Sequence, residues 1–392
     1  MWSRLGIFVV ALYATLAGGL SSGNAAKFDT PALTHPFGGA GDLLFSPLAR
    51  WDSVWYLAIA NLGYGDVDSP RTAFFPLYPL LTRGLGQLGG GSEGAVLIAS
   101  YLVALSALGV ALYLLHRLTE LELGRAAAGP AVLLLCVFPA SVFLGAPYSE
   151  SLFLAASIGA FYAARTGHWA AAGAAAAAAS ATRSAGVLLL LPLAILYWQS
   201  TEPGRRWRPD AAWLALAPAG LVAYALFLAA AHGDPLAFLS AQELWSRHFA
   251  GPFVGVWDGL VAAFDGVRQL GSGSRDTIYF EQAGGDPFRV AAVNLMLFGA
   301  VVFAAVASLG VLRRLPFAYG AYVVAALALP LSYPVEPQPL MSLPRFLVVL
   351  FPVFMWMGVV CAERGNTARV AAASALGLGL FTAQYASWYF IA

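Results

Sequence analysis

The stretch ARWDSVWYLAIANLGYGD, Ala49 to Asp66, sets Arg50 and Asp52 among three large aromatics, Trp51, Trp55 and Tyr56. The surrounding chain has 392 residues, of which 60% are hydrophobic and only 10% charged. Soluble domains carry roughly 25% charged residues, so these are the surroundings of a polytopic membrane protein. An ionisable side chain in such surroundings is costly and calls for a partner or a task.

A membrane-crossing helix needs about 20 mostly apolar residues. Eleven segments qualify as candidates: 5–20, 94–115, 129–146, 150–164, 169–182, 184–199, 211–231, 289–312, 317–333, 345–362 and 369–390. The basic start, apolar run and small-residue end of the first 28 residues also have the form of a cleaved signal peptide. A retained first helix is expected, because the topology then closes.

With the N-terminus on the inner side, the inner connections and their flanks hold 11 arginines and five acids, and the outer side 10 basic residues and 15 acids. Short inner loops rich in arginine fit the positive-inside rule. Arg205, Arg206, Arg208, Arg313 and Arg314 are read as topology anchors. The two long outer segments are then about 21–93 and about 232–288. No linker or internal repeat divides the chain, so residues 1–392 are expected to form one domain. The alanine-rich run at 170–179 suits close helix packing.

Net charge is +1, which gives no footprint for nucleic acid. Cys136 and Cys361 lie in apolar runs without metal or disulfide spacing. There is no P-loop and no zinc motif, and the lone DVD triplet at 66–68 is a weak metal signal. No cofactor is expected.

The opening stretch can form a short amphipathic helix at the interface, since Trp and Tyr prefer headgroup depth. Pro70, Pro76 and Pro79 then break any regular span. Asp52 reads as a general base, or as a helix-start carboxylate, or as a partner for Arg50. Arg345 follows Pro344, a residue suited to the first turn of a helix. A cation there opposes the helix dipole, which suggests an anion to bind. Arg183 lies between two apolar helices and reads either as a phosphate or sugar contact or as a structural partner of Glu150. Tyr148 and Glu150 mark an outer helix start. Arg71 and Arg289 are weaker candidates. The second outer loop suits an interfacial helix lining an acceptor groove, with His248 at its surface. Glu336 is a possible second acid, and Gln384 and Tyr385 sit in a C-terminal aromatic belt.

RWDSVWYLAIANLGYG followed by AFFPLYPLLTR resembles the PIG-V family, the mannosyltransferases that add the second mannose to GPI anchors, and their bacterial relatives. FPASVFLGAPYSESLF (138–153), ASATRSAGVLLLLPL (179–193) and SLPRFLVVLFPVF (342–354) continue the resemblance in family order. The resemblance implies an all-α GT-C glycosyltransferase with its site on the outer face and a polyprenyl-phosphate sugar as donor. An acidic residue of the first outer loop is then the base, which here is Asp52, with Arg50 and Trp51 as fitting neighbours. The same reading puts Arg345, Arg183, Arg71, Arg50, Glu150, Tyr148, Trp51 and Tyr56 in contact with donor phosphate or substrate, without a metal. The acceptor is a glycan or glycolipid, and the location an outward-facing site in a bacterial plasma membrane. A transporter or flippase of a lipid-linked sugar is the competing class, and a different polyprenyl-phosphate sugar the competing donor.

Overall fold

The computed structural model describes residues 2–17, 21–66, 69–200, 209–280 and 286–391. The described residues form α- and 3-10 helices, turns and loops, with no β-strand among them. Arg205, Arg206, Arg208 and most of the DVD triplet lie outside the described residues.

Two of the eleven expected spans are long and apolar enough to cross a membrane on their own: Glu93–Leu123, with 31 residues, and Pro287–Arg314, with 28. Pro209–Leu216 and Ala219–His232 together make a third, bent by 45° at the break. Trp2–Ala17, Arg125–Val137, Ser184–Ser200, Phe317–Leu331 and Phe351–Glu363 are apolar but shorter. Leu102, Leu105 and Val110 on one long helix, and Val302, Val306 and Leu309 on the other, are exposed. So are Leu226, Leu376 and Leu380 on neighbouring helices. Apolar surface on this scale belongs in lipid, and the protein is an integral membrane protein.

Prolines divide several expected spans. The segment 129–146 is helical only to Val137, and a 3-10 turn begins at Pro139. The segment 345–362 is two helices, Leu343–Val348 and Phe351–Glu363, with Pro352 in the first turn of the second. Proline has no backbone N–H to continue a helical ladder. These breaks matter because charged side chains sit beside them.

Glu93–Leu123 packs against Glu150–Arg165, Arg125–Val137 and Leu77–Leu88. Phe351–Glu363 lies along Arg125–Val137 and approaches so closely that a Cβ at Gly358 would meet the Ala127 carbonyl oxygen at 2.6 Å. The alanine-rich helix Trp169–Thr182 buries Ala172, Ala176 and Ala179, as its composition predicts. The first helix, Trp2–Ala17, runs against Thr367–Ala386. Arg4 ties it in by donating to the carbonyls of Ser141 at 2.7 Å and Cys136 at 2.8 Å.

The opening stretch folds as the helix Asp52–Leu62, which is not the amphipathic surface helix expected. Ser53, Val54, Tyr56, Leu57, Ala58, Ile59 and Ala60 are all buried in it. It packs against Leu77–Leu88 and Glu93–Leu123. Its first turn therefore opens inside the bundle.

Candidate active site

Four side chains far apart in sequence meet at this first turn. Arg345 donates through Nη1 to Asp52 Oδ2 and through Nε to Glu150 Oε1. Arg183 Nη1 donates to the same Glu150 oxygen at 2.6 Å. Three of the four stand at an element boundary. Asp52 opens the helix Asp52–Leu62 and Glu150 opens Glu150–Arg165. Arg183 follows Trp169–Thr182 in an extended conformation, and Arg345 lies in the short helix Leu343–Val348. The two carboxylates are favoured by their helix dipoles. The two arginines compensate them in a setting where water cannot.

Exposure separates the two acids. The Glu150 side chain is fully buried, whereas that of Asp52 is 27% exposed. Asp52 is thus the carboxylate that a substrate can reach, and Glu150 the one that holds the arginines. The other oxygen of Glu150, Oε2, is buried without a partner.

Tyrosines fix the backbone that carries Asp52. The Asp52 N–H donates to the Tyr148 hydroxyl at 3.1 Å, which in turn donates to the Arg50 carbonyl at 3.2 Å. Tyr385 donates to the same carbonyl at 3.0 Å and to that of Leu48 at 3.2 Å. Tyr148 also lies under Arg345, its ring centroid 5.0 Å from the guanidinium carbon. Tyr56 shares a 2.7 Å hydrogen bond with Ser149, next to Glu150. Burial, reinforced by the Glu150 charge, pushes the Tyr56 phenol up to about 12, so it stays protonated.

Trp51 precedes Asp52 at φ 54°, a conformation strained for any side chain but glycine. Its ring is held by Phe28, Trp388 and Phe390, with centroids 5.2, 5.6 and 5.3 Å away. The aromatics around Asp52 therefore set a backbone turn that aims the carboxylate inward.

The structure does not bring every expected residue to this place. Arg50 turns the other way: its Nε donates to the Ala386 carbonyl at 3.3 Å, and its guanidinium lies over Trp388. Asp52 is accordingly paired with Arg345 and not with Arg50. Arg71 donates to the Gly63 carbonyl at 3.0 Å. Arg289 stacks on Tyr389 at 3.8 Å. His248 and Glu336 line a separate cleft of about 760 Å³ together with Asp258 and Asp265. Among the described residues, no three His, Cys, Asp or Glu side chains converge as a metal would need.

Sequence reasoning missed Arg247. It is half-buried and donates through Nη2 to Ser342 Oγ at 3.3 Å, three residues before Arg345. The segment SRH at 246–248 reads as part of an interfacial helix in the second outer loop, with no pattern to single out its arginine.

Residues 10–199 match the family described as Mannosyltransferase (PIG-V). The GPI alpha-1,6-mannosyltransferase 2 of Mus musculus is 36% identical over 177 residues, covering 43% of this chain and 35% of the relative. The matched region thus spans about a third of that relative's length. Among solved structures, ArnT from Cupriavidus metallidurans is 18% identical at a TM-score of 0.42, over 88% of this chain and 75% of ArnT. The Archaeoglobus fulgidus oligosaccharyltransferase is 13% identical at a TM-score of 0.46, over 88% of this chain and 49% of that enzyme.

Proposed function

For a chain whose residues 10–199 match the PIG-V mannosyltransferase family, we propose an inverting membrane glycosyltransferase of GT-C architecture. It transfers mannose from a polyprenyl-phosphate donor to a glycan or glycolipid acceptor on the outer face of the membrane, in a bacterial setting the plasma membrane. The observation that carries this reading is the buried cluster of Asp52, Glu150, Arg183 and Arg345, in which one carboxylate alone is accessible.

In this mechanism the acceptor hydroxyl attacks the anomeric carbon of the donor from the face opposite the phosphate. Asp52 takes the hydroxyl proton as the new carbon–oxygen bond forms. The bond from the anomeric carbon to the phosphate oxygen breaks, and the electron pair leaves with the prenyl phosphate. Arginine neutralises that leaving charge, so the step calls on no metal or nucleotide. Charge preorganised in a dry site is usually the largest catalytic contribution, and a positioned base adds roughly 10²–10⁴-fold. Single displacement inverts the anomeric centre, as in inverting glycosidases with a sugar hydroxyl in place of water.

The test uses purified protein in lipid with radiolabelled polyprenyl-phosphate mannose and a membrane glycolipid extract. Label in a new glycolipid product supports the reading. Label that crosses a sealed vesicle without a new bond identifies a transporter instead.

A further inference from the structure

Three arginines and two carboxylates occupy the candidate site, and their charges do not cancel. Arg183 and Arg345 face Glu150 and Asp52 in direct ion pairs. Among the described residues, Arg247 comes beside them without a carboxylate in ion-pair contact with its guanidinium, and its bond to Ser342 is to a neutral hydroxyl. The sum is one uncompensated positive charge on a half-buried side chain. Burial and the charge of Arg345, helped by Arg183 and only partly offset by Asp52, lower the Arg247 guanidinium to about 10.

The backbone supports the same reading. Among the described residues, four non-glycine residues have positive φ: Trp51 at 54°, Ser246 at 55°, Ser342 at 72° and Trp388 at 60°. Three of them sit immediately before or close before a cluster residue, namely Asp52, Arg247 and Arg345. Ser342 is also the hydroxyl that holds Arg247. Strain of this kind gathers where the surroundings hold a geometry for function. It is spent here on three segments that deliver charge to one point.

The neighbouring cleft shows which way an anion would go. Ser246 and His248 line it together with Asp258, Asp265 and Glu336. Its three acids repel a phosphate. Arg247, lying between Ser246 and His248 in sequence, instead makes its bond to Ser342 beside the cluster.

We propose that Arg247 is the seat of the lipid-borne phosphate, the group that completes the charge of the site. The inference rests on the donor reading above and sharpens it. A phosphodiester carries one negative charge and matches the single charge left over. Guanidinium takes phosphate oxygens in a two-pronged way that lysine cannot. Arg345 already has two carboxylate partners, so it is the second hand on the phosphate and not the first. As the phosphate settles between Arg247 and Arg345, it competes with Asp52 for Arg345 and frees the carboxylate to take a proton.

The experiment measures binding of a short-chain prenyl methyl phosphate, a phosphodiester with the donor's single charge, with the uncharged prenol as control, to the full protein in phosphatidylcholine nanodiscs. Wild type binds the phosphate and prefers it to the prenol. Arg247→Gln weakens phosphate binding about tenfold or more, as expected for loss of a charged hydrogen bond, and leaves prenol binding unchanged. Arg247→Lys restores part of the affinity, which separates a charge role from misfolding. Equal phosphate affinity in wild type and Arg247→Gln overturns the seat while leaving the donor reading intact. Failure of wild type to prefer the phosphate overturns both. Repeating the measurement with phosphatidylglycerol in the disc separates the two sources of lipid phosphate. A specific donor seat keeps its affinity, and a site for bulk headgroups loses it.

Discussion

The helix Glu150–Arg165 carries an ion-paired residue at each end, and the two ends differ in what they leave over. At the far end Arg165 pairs with Glu122, whose side chain is 4% exposed. Glu122 also accepts from the Tyr319 hydroxyl at 2.9 Å and from Arg165 Nη2 at 3.4 Å. Every oxygen there is satisfied and the charges match one to one. About 22 Å away along the helix, Glu150 holds two arginines and, among the described residues, keeps one oxygen unpartnered and stands beside a reachable Asp52 and an unmatched Arg247. A closed pair fastens helices together. An open cluster waits for a ligand. Both ends are rich in buried charge, so burial and charge alone do not identify a site; the mismatch does.

The comparison breaks most visibly at Asp52. Asp52→Asn is expected to lower transfer by roughly 10²–10⁴-fold with little change in thermal midpoint, since the amide keeps the shape of the turn. Radiolabel transfer and a melting curve on the same preparation check it. Glu150→Gln should act in the opposite proportion. It leaves two arginines around a buried amide, which costs about 3–5 kcal/mol of stability, read as a large drop in midpoint in detergent or nanodiscs. Arg345→Lys keeps the charge but cannot reach Asp52 and Glu150 together. A loss of about 10²-fold in turnover is expected, and retention of full turnover would mean that the fork geometry is unimportant. The smallest effect belongs to Arg314→Gln. Its pair with Glu363 is half-exposed on both sides, and such pairs contribute about 1 kcal/mol or less. Its turnover should match that of wild type.

The sequence made the site legible to different depths. Asp52 and Glu150 could be found because a carboxylate at a helix start in a greasy chain is conspicuous. Arg183 could be found because it interrupts two apolar runs, and its pairing with Glu150 was one of two readings open from the sequence. The Asp52–Arg345 pair, 293 positions apart in the chain, was not legible, because no local rule joins those segments. The expectation of an interfacial helix at Asp52–Leu62 failed because Trp51, Trp55 and Tyr56 look amphipathic in isolation. In the fold they pack inward against Phe74, Tyr78 and Trp388. The helical class and the membrane character came from composition. The lengths of individual spans did not, since Pro139 and Pro352 end helices that hydropathy alone would continue. Arg247 escaped because its meaning lies in what it lacks, a carboxylate, and absence in three dimensions leaves no trace in one.

The most direct test of the account compares transfer by wild type, Asp52→Asn and Arg165→Gln in the same lipid, with donor in excess. The account predicts that Asp52→Asn loses transfer while still binding donor, and that Arg165→Gln, at the closed end of the same helix, loses stability because Glu122 is left buried without its counter-ion, while its folded fraction transfers at a rate close to wild type. A well-folded Asp52→Asn that turns over normally would contradict the assignment of the base, and with it the reading of the open cluster as an active site.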